Sequence, residues 1–409
     1  MHDSLYRNSI YLLLSSVIAS LFGFIFWLIA AHLAPPSEIG IATTAISTVS
    51  LLATLSLFGW NNSLIKFLHE HRNKNSVITA SFGLTTVISI ILSAIYILNI
   101  HWLTPHIAYV FHSPVAKIIL VITVAVSMLN ILIESVFIAY KKSLFVFLKN
   151  ALFTIGKVAL LLILGSKTGY GLFLIIALLT VLSLIFSQLI LYAKFGFHVS
   201  LINARPIIRD EIGYSLANYI SSFFGAMSVL LLPVLVSNRL GSKDAAFYYI
   251  AASIAGVLYL IPENITKSLF SEAASDVYSL RYHTIRSTKF IISLLLPCIL
   301  IIVIIGRDIL LAFGEQYSSS DYVLLITLSI SSIFVAITYI CDAVFYVLKD
   351  NKDLLITNLL NAILVLGSIF VFMDRVGLEG VGIGWLIGQF LSSIVYVLFV
   401  FKKFPRLTQ

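Results

Sequence analysis

Runs of about 20 apolar residues recur along this chain between short polar breaks, and that rhythm leaves few folds open. A helix of that length spans about 30 Å of hydrocarbon and satisfies its own backbone N–H and C=O groups there, which an open strand does not. The runs fall near 9–33, 39–61, 77–99, 116–139, 144–165, 171–193, 213–236, 244–268, 289–306, 321–348, 354–373 and 381–401. With 60% of residues hydrophobic and 11% charged, a soluble globular domain is excluded. The expected fold class is all-α: a polytopic membrane protein of twelve transmembrane helices. The first run, Ser9 to Leu33, is longer than the apolar core of a signal peptide and is read as span one.

Lysine and arginine set the expected orientation. Nineteen of the 26 fall at the two ends and in the loops that follow even-numbered spans, six fall on the other side, and Lys157 lies inside a span. Positive charge is retained on the cytoplasmic side, so both termini are expected there. The +8 balance then reports topology rather than nucleic-acid binding.

Two segments read almost alike: ESVFIAYK, Glu134 to Lys141, and DAVFYVLK, Asp342 to Lys349. Asn150-Ala151 and Gly156 are echoed by Asn361-Ala362 and Gly367, and Gly169-x-Gly171 by Gly380-x-Gly382. These matches imply an internal duplication. Six spans per half is an even number, so the halves are expected as parallel repeats around a central cleft: residues 1–193, a linker 194–212, and 213–409.

Polar residues inside the spans are the candidates for function. Each repeated acid lies roughly 10 Å below its lysine on a helical rise. An ionisable group in mid-membrane costs about 2.5–3.5 kcal/mol on insertion scales, so it faces a partner or a water-filled path. Glu134 and Asp342 therefore either pair with lysines of neighbouring spans or line a route for an ion. Thr123, Ser127, Asn130 and Glu134 share one stripe, and Ser331, Thr338 and Asp342 another. Asn150 and Lys157 lie seven apart on span five, and Ser215, Asn218 and Ser222 mark span seven. Such stripes serve as helix-helix adhesive or as a polar lining. Lys157 sits about 20 Å along its span, too deep to snorkel. Lys66, Lys141, Lys142 and Lys149 lie near a span end, where topology alone accounts for them. Glu263 and Lys267, four apart, can neutralise each other on one helix face.

Other chemistry is poorly represented. The GSKTG around Ser166 lacks phosphate-loop spacing, and the breaks between spans are too short for a folded catalytic domain, so no enzyme is expected. Cys298 and Cys341 fall inside spans, and the histidines lack metal-site spacing, so neither a disulfide framework nor a metal is expected.

The AHLAPPSEIG segment from Ala31 resembles the A-R-x-L-G-P-x-E-[YF]-G signature of the polysaccharide transporter family, the Wzx-type flippases of the multidrug/oligosaccharidyl-lipid/polysaccharide superfamily. The stretch from Gly59 to Lys66, NRLGSKDAAFYYIAAS from Asn238, FGEQYSSSDYVLL from Phe313 and GLEGVGIG from Gly377 are similar to later segments of that family. His32 and Pro35 depart from the signature's Arg and Gly. The resemblance implies a flippase that moves undecaprenyl-pyrophosphate-linked oligosaccharide across the bacterial cytoplasmic membrane for O-antigen, capsule or exopolysaccharide. On that reading Lys157, Lys149, Asn150, Lys66 and Asn218 line the substrate path, and Glu134 and Asp342 couple it to a proton or sodium gradient. No cofactor is expected. The expected partners are the lipid-linked oligosaccharide, membrane lipids, and a polymerase and glycosyltransferases. Alternatives are a cation-coupled drug or metabolite exporter of the same superfamily, or an assembly scaffold for glycosyltransferases.

Overall fold

The computed structural model describes residues 2–69, 73–200, 204–273 and 280–402, excluding the side chains of 2–7, 9, 204–218, 268, 270–273 and 319–320. All regular elements among the described residues are helical. Twelve helices are long and apolar enough to cross a membrane: Ile10–Leu33, Pro36–Leu57, Lys74–Leu98, Pro114–Ala139, Ser143–Leu164, Gly169–Phe195, Tyr219–Leu240, Ser242–Lys267, Leu280–Leu311, Tyr322–Leu348, Asn351–Val376 and Leu378–Phe401. They are spans one to twelve below, and the chain is a multi-pass membrane protein.

Local chemistry fixes many span ends. Ser113 and Thr168 cap spans four and six by accepting the Ala116 and Gly171 N–H groups at 3.2 Å each. Asn73 and Asp350 do the same for spans three and eleven. Gly165 and Gly196 close spans five and six with φ of 57° and 62°, where a Cβ is costly. Span nine runs well past the expected 289–306, because Arg281, Arg286, Lys289 and Arg307 depress hydropathy at its ends while the backbone stays helical.

The chain divides into two compact units: Met1–Tyr219 with Pro233–Lys243, and Ile220–Leu232 with Asp244–Gln409. Span seven thus contributes to both. In the first unit, Trp60, Leu64, Leu132, Phe137 and Leu191 form one buried cluster, and Ile107, Phe111, Leu120 and Phe173 another. Glu38 Oε2 accepts the Gly169 N–H at 2.6 Å, which places a carboxylate at the open N–H end of span six. That contact gives the acid of the AHLAPPSEIG segment a structural role.

In the second unit, spans eleven and twelve lie in close contact. A Cβ added at Gly384 would stand 2.6 Å from Ile369 Cα, and one at Gly388 would stand 2.5 Å from Val365 Cα. Small residues four apart let backbones approach where lipid supplies no hydrophobic drive between helices. Phe345 and Tyr396, both almost fully buried, anchor the adjoining core.

Candidate functional site

Each unit holds one polar cluster built around its copy of the repeated acid. In the first unit, Glu134 of span four and Lys149 of span five pair at 2.6 Å. Lys149 Nζ also donates to the Asn130 carbonyl and Oδ1 at 3.4 and 3.5 Å. Asn130 Oδ1 accepts from Ser183 Oγ at 3.2 Å, and its Nδ2 donates to the Thr180 carbonyl at 3.0 Å. Spans four, five and six are thereby tied through one asparagine. The stripe that the spacing marked on span four is in this part an interhelical joint.

Lys149 departs from its expected place. Its side chain is 3% exposed, against 29% for Glu134, so it presents almost no surface to a ligand. Its burial goes with the ion pair to Glu134. The next residue, Asn150, turns the other way and donates to Ser15 Oγ of span one at 3.0 Å. Lys157 lies on that same side of span five. Its ammonium stands 5.5 Å from the Phe26 ring centre and 5.6 Å from that of Phe153, with no carboxylate in ion-pair range among the described residues. Two ring faces stabilise a cation only modestly. Lys66 is exposed and lies over the Phe67 ring. The Asn218 side chain lies outside the described residues.

The second unit differs. Asp342 borders a cavity of about 430 Å³ together with Asn358, Asn361, Gln389, Tyr259 and Tyr396. Part of that wall is satisfied: Asn358 donates to the Leu354 carbonyl at 2.9 Å and accepts from Tyr396 OH at 3.2 Å, and Tyr259 OH donates to the Leu328 carbonyl at 2.9 Å. Other atoms of the wall are not: Asp342 Oδ1, Asn361 Oδ1 and Gln389 Oε1, from spans ten, eleven and twelve, are buried and make no hydrogen bond among the described residues, and the same holds for the Ser228 hydroxyl and the Trp385 Nε1–H. An unsatisfied buried acceptor costs about 1–3 kcal/mol, so a donor or a cation in the cavity, water included, would stabilise these oxygens. Carboxylate and amide oxygens suit a hard cation.

The duplication explains the contrast. Asn150 matches Asn361 in the repeat, so Leu360 occupies the place of Lys149. The second unit keeps the acid and lacks the lysine that neutralises it. Asn358 and Gln389 escaped the sequence reading because one uncharged amide barely changes the hydropathy of an apolar span; Asn358 at three residues from Asn361 was the available signal. Glu263 and Lys267 do pair, at 2.7 Å across one helical turn.

Comparison with known proteins adds the following. The sequence model of the family described as "Polysaccharide biosynthesis protein" matches residues 5–270. A "Putative O-antigen transporter" of Shigella flexneri is 23% identical over 216 residues, 48% of this chain and 52% of that protein; the match thus spans about half of that relative's length. Among solved structures, an inward-facing multidrug resistance MATE family transporter of the MOP superfamily aligns over 98% of this chain and 99% of its own, with a TM-score of 0.75 at 17% identity. The lipid II flippase MurJ in an inward closed conformation aligns over 98% and 90%, with a TM-score of 0.76 at 13% identity. Both likenesses describe the fold.

Proposed function

Since the chain belongs to the polysaccharide biosynthesis protein family, we propose that it is a flippase for undecaprenyl-pyrophosphate-linked oligosaccharide, working by alternating access in the bacterial cytoplasmic membrane. The product would feed a surface polysaccharide, with glycosyltransferases making the substrate and a polymerase consuming it. A glycan head group does not cross about 30 Å of hydrocarbon unaided, and a polytopic protein with polar residues inside its spans gives it a route. A relative named as an O-antigen transporter and a fold shared with a lipid II flippase support this reading.

The observation that carries the mechanism is the asymmetry of the two acids. Glu134 is neutralised by Lys149, whereas Asp342 borders a polar cavity whose wall holds further unpartnered polar atoms. Asp342 is accordingly proposed as the group that takes up and releases a proton or sodium ion, and Glu134 as a joint of the first unit. A ligand that binds one conformation better shifts the equilibrium toward it by its differential affinity, which is how cation binding would bias the inward- and outward-open states. Lys157, a cation between two rings, is proposed to meet the pyrophosphate or acidic sugars, with Lys66 of the short helix Trp60–Phe67 as a further contact.

The test is depletion in the host. Lipid-linked oligosaccharide should accumulate on the cytoplasmic leaflet, and re-expression of the wild type but not of Asp342→Asn should reverse it. Unchanged sidedness with altered sensitivity to cationic drugs would favour the exporter.

A further inference from the structure

Asp342 borders a second cavity. Tyr339, Asp342 and Tyr346 line both the 430 Å³ cavity and another of about 490 Å³, whose remaining wall is Glu263, Thr266, Lys267 and Ala343. These three residues are the ones common to both linings, and their spacing of three and four puts them on one face of span ten. The side chains of Glu263 and Lys267 are 36% and 67% exposed, so the second cavity opens at the Lys267 end of span eight. An exposed ion pair one turn apart adds little to stability, which leaves its placement at this mouth without a structural reason.

We infer that the cavity of Glu263, Thr266, Lys267 and Ala343 is the aqueous route by which a monovalent cation exchanges with Asp342, Glu263 being a positioning carboxylate at its mouth. The inference rests on the reading of Asp342 as the coupling acid. Glu263 offsets the Lys267 ammonium, so that the opening carries no net positive charge to repel a cation, and the Tyr339 and Tyr346 rings stand beside the carboxylate between the two cavities. The other titratable groups around Asp342 are Cys341 beside it, Tyr396 from span twelve and, in the wall of the first cavity, Tyr259 from span eight.

The experiment uses the full chain in proteoliposomes and a cationic, water-soluble carbodiimide as the probe, with modification of Asp342 read by peptide mass spectrometry across pH. Glu263→Gln should slow that modification about tenfold, the low end of what a charged cleft does to local cation concentration. Glu263→Asp should restore most of the rate, and Thr266→Phe, which fills the cavity, should block it. Loss of modification on adding sodium at fixed pH would identify sodium as the cation; modification that is indifferent to sodium and rises as pH falls over the range in which transport changes would identify the proton. Equal modification in the wild type and Glu263→Gln, at equal thermal stability, would overturn the route even if Thr266→Phe failed to fold. Failure of the coupling reading is a separate result, in which Asp342→Asn transports like the wild type.

Discussion

Lys141 and Lys349, 208 positions apart, adopt the same backbone conformation: each has φ of 55° and ends a repeated helix. The residue after each donates its N–H to the matching phenylalanine carbonyl, Lys142 to Phe137 at 2.9 Å and Asp350 to Phe345 at 3.0 Å. This is a left-handed helix stop that usually carries glycine. Lysine in that conformation costs about 1–2 kcal/mol relative to glycine. Lys349→Gly should therefore raise the midpoint of thermal unfolding in detergent, and Lys349→Val should lower it.

Removing one partner of a buried ion pair leaves the other uncompensated, a loss of about 3–5 kcal/mol when both are sealed. Glu134 is partly exposed, so Lys149→Ala should cost less than that range and Glu134→Gln, which strands the buried lysine, should approach it. The double change to Lys149→Met and Glu134→Leu should recover most of the loss. Thermal stability of the four proteins measures this directly.

Asp342 should behave in the opposite way. Asp342→Asn removes no ion pair seen among the described residues and puts an amide donor beside unpartnered acceptors, so stability should hold or rise. Lipid-linked oligosaccharide translocation should fall at least about tenfold, corresponding to 1.4 kcal/mol or more of lost coupling. Stability and transport assayed on one preparation separate the two acids.

Asp321, at the N-terminal edge of span ten, is fully buried with neither carboxylate oxygen hydrogen-bonded among the described residues. Burial first, and the nearby Asp244 second, push its pKa up to about 8. The folded chain then holds a proton that the unfolded chain releases near pH 4, so this group's contribution to stability is full below that pH and is lost as pH rises toward 8. Wild-type unfolding midpoints should decline between pH 5 and 9, and Asp321→Asn should flatten that decline.

Much of the architecture was legible because length and hydropathy encode a span directly, and the paired motifs at Glu134 and Asp342 encode the duplication. The sites were less legible. Lys149 stands six residues into its helix, close enough to a span end to pass for a topology charge, and only the turn of span five toward Asn130 shows it to be buried. Asn358 and Gln389 left too small a hydropathy trace. Glu263 and Lys267 announced their pairing through i,i+4 spacing, but their approach to Asp342 depends on spans eight and ten lying side by side, which no local pattern states.

The glycines of span twelve make a sharper case. Gly380, Gly384 and Gly388 follow one another at four-residue intervals, and all three meet backbone rather than flexible side chains. Gly388→Ala should force spans eleven and twelve apart at a cost of about 1–3 kcal/mol. Proteolytic sensitivity of the second unit should rise with it.

The most direct measurement is translocation by the purified protein in proteoliposomes, with a polyprenyl-pyrophosphate-linked oligosaccharide followed by leaflet-specific modification of its sugar under an imposed proton or sodium gradient. The account predicts gradient-dependent movement of the glycan by the wild type and by Lys349→Gly, and its loss in Asp342→Asn at unchanged folding. Folded protein that leaves the glycan in its original leaflet under both gradients, or an Asp342→Asn protein that moves it at the wild-type rate, would contradict it.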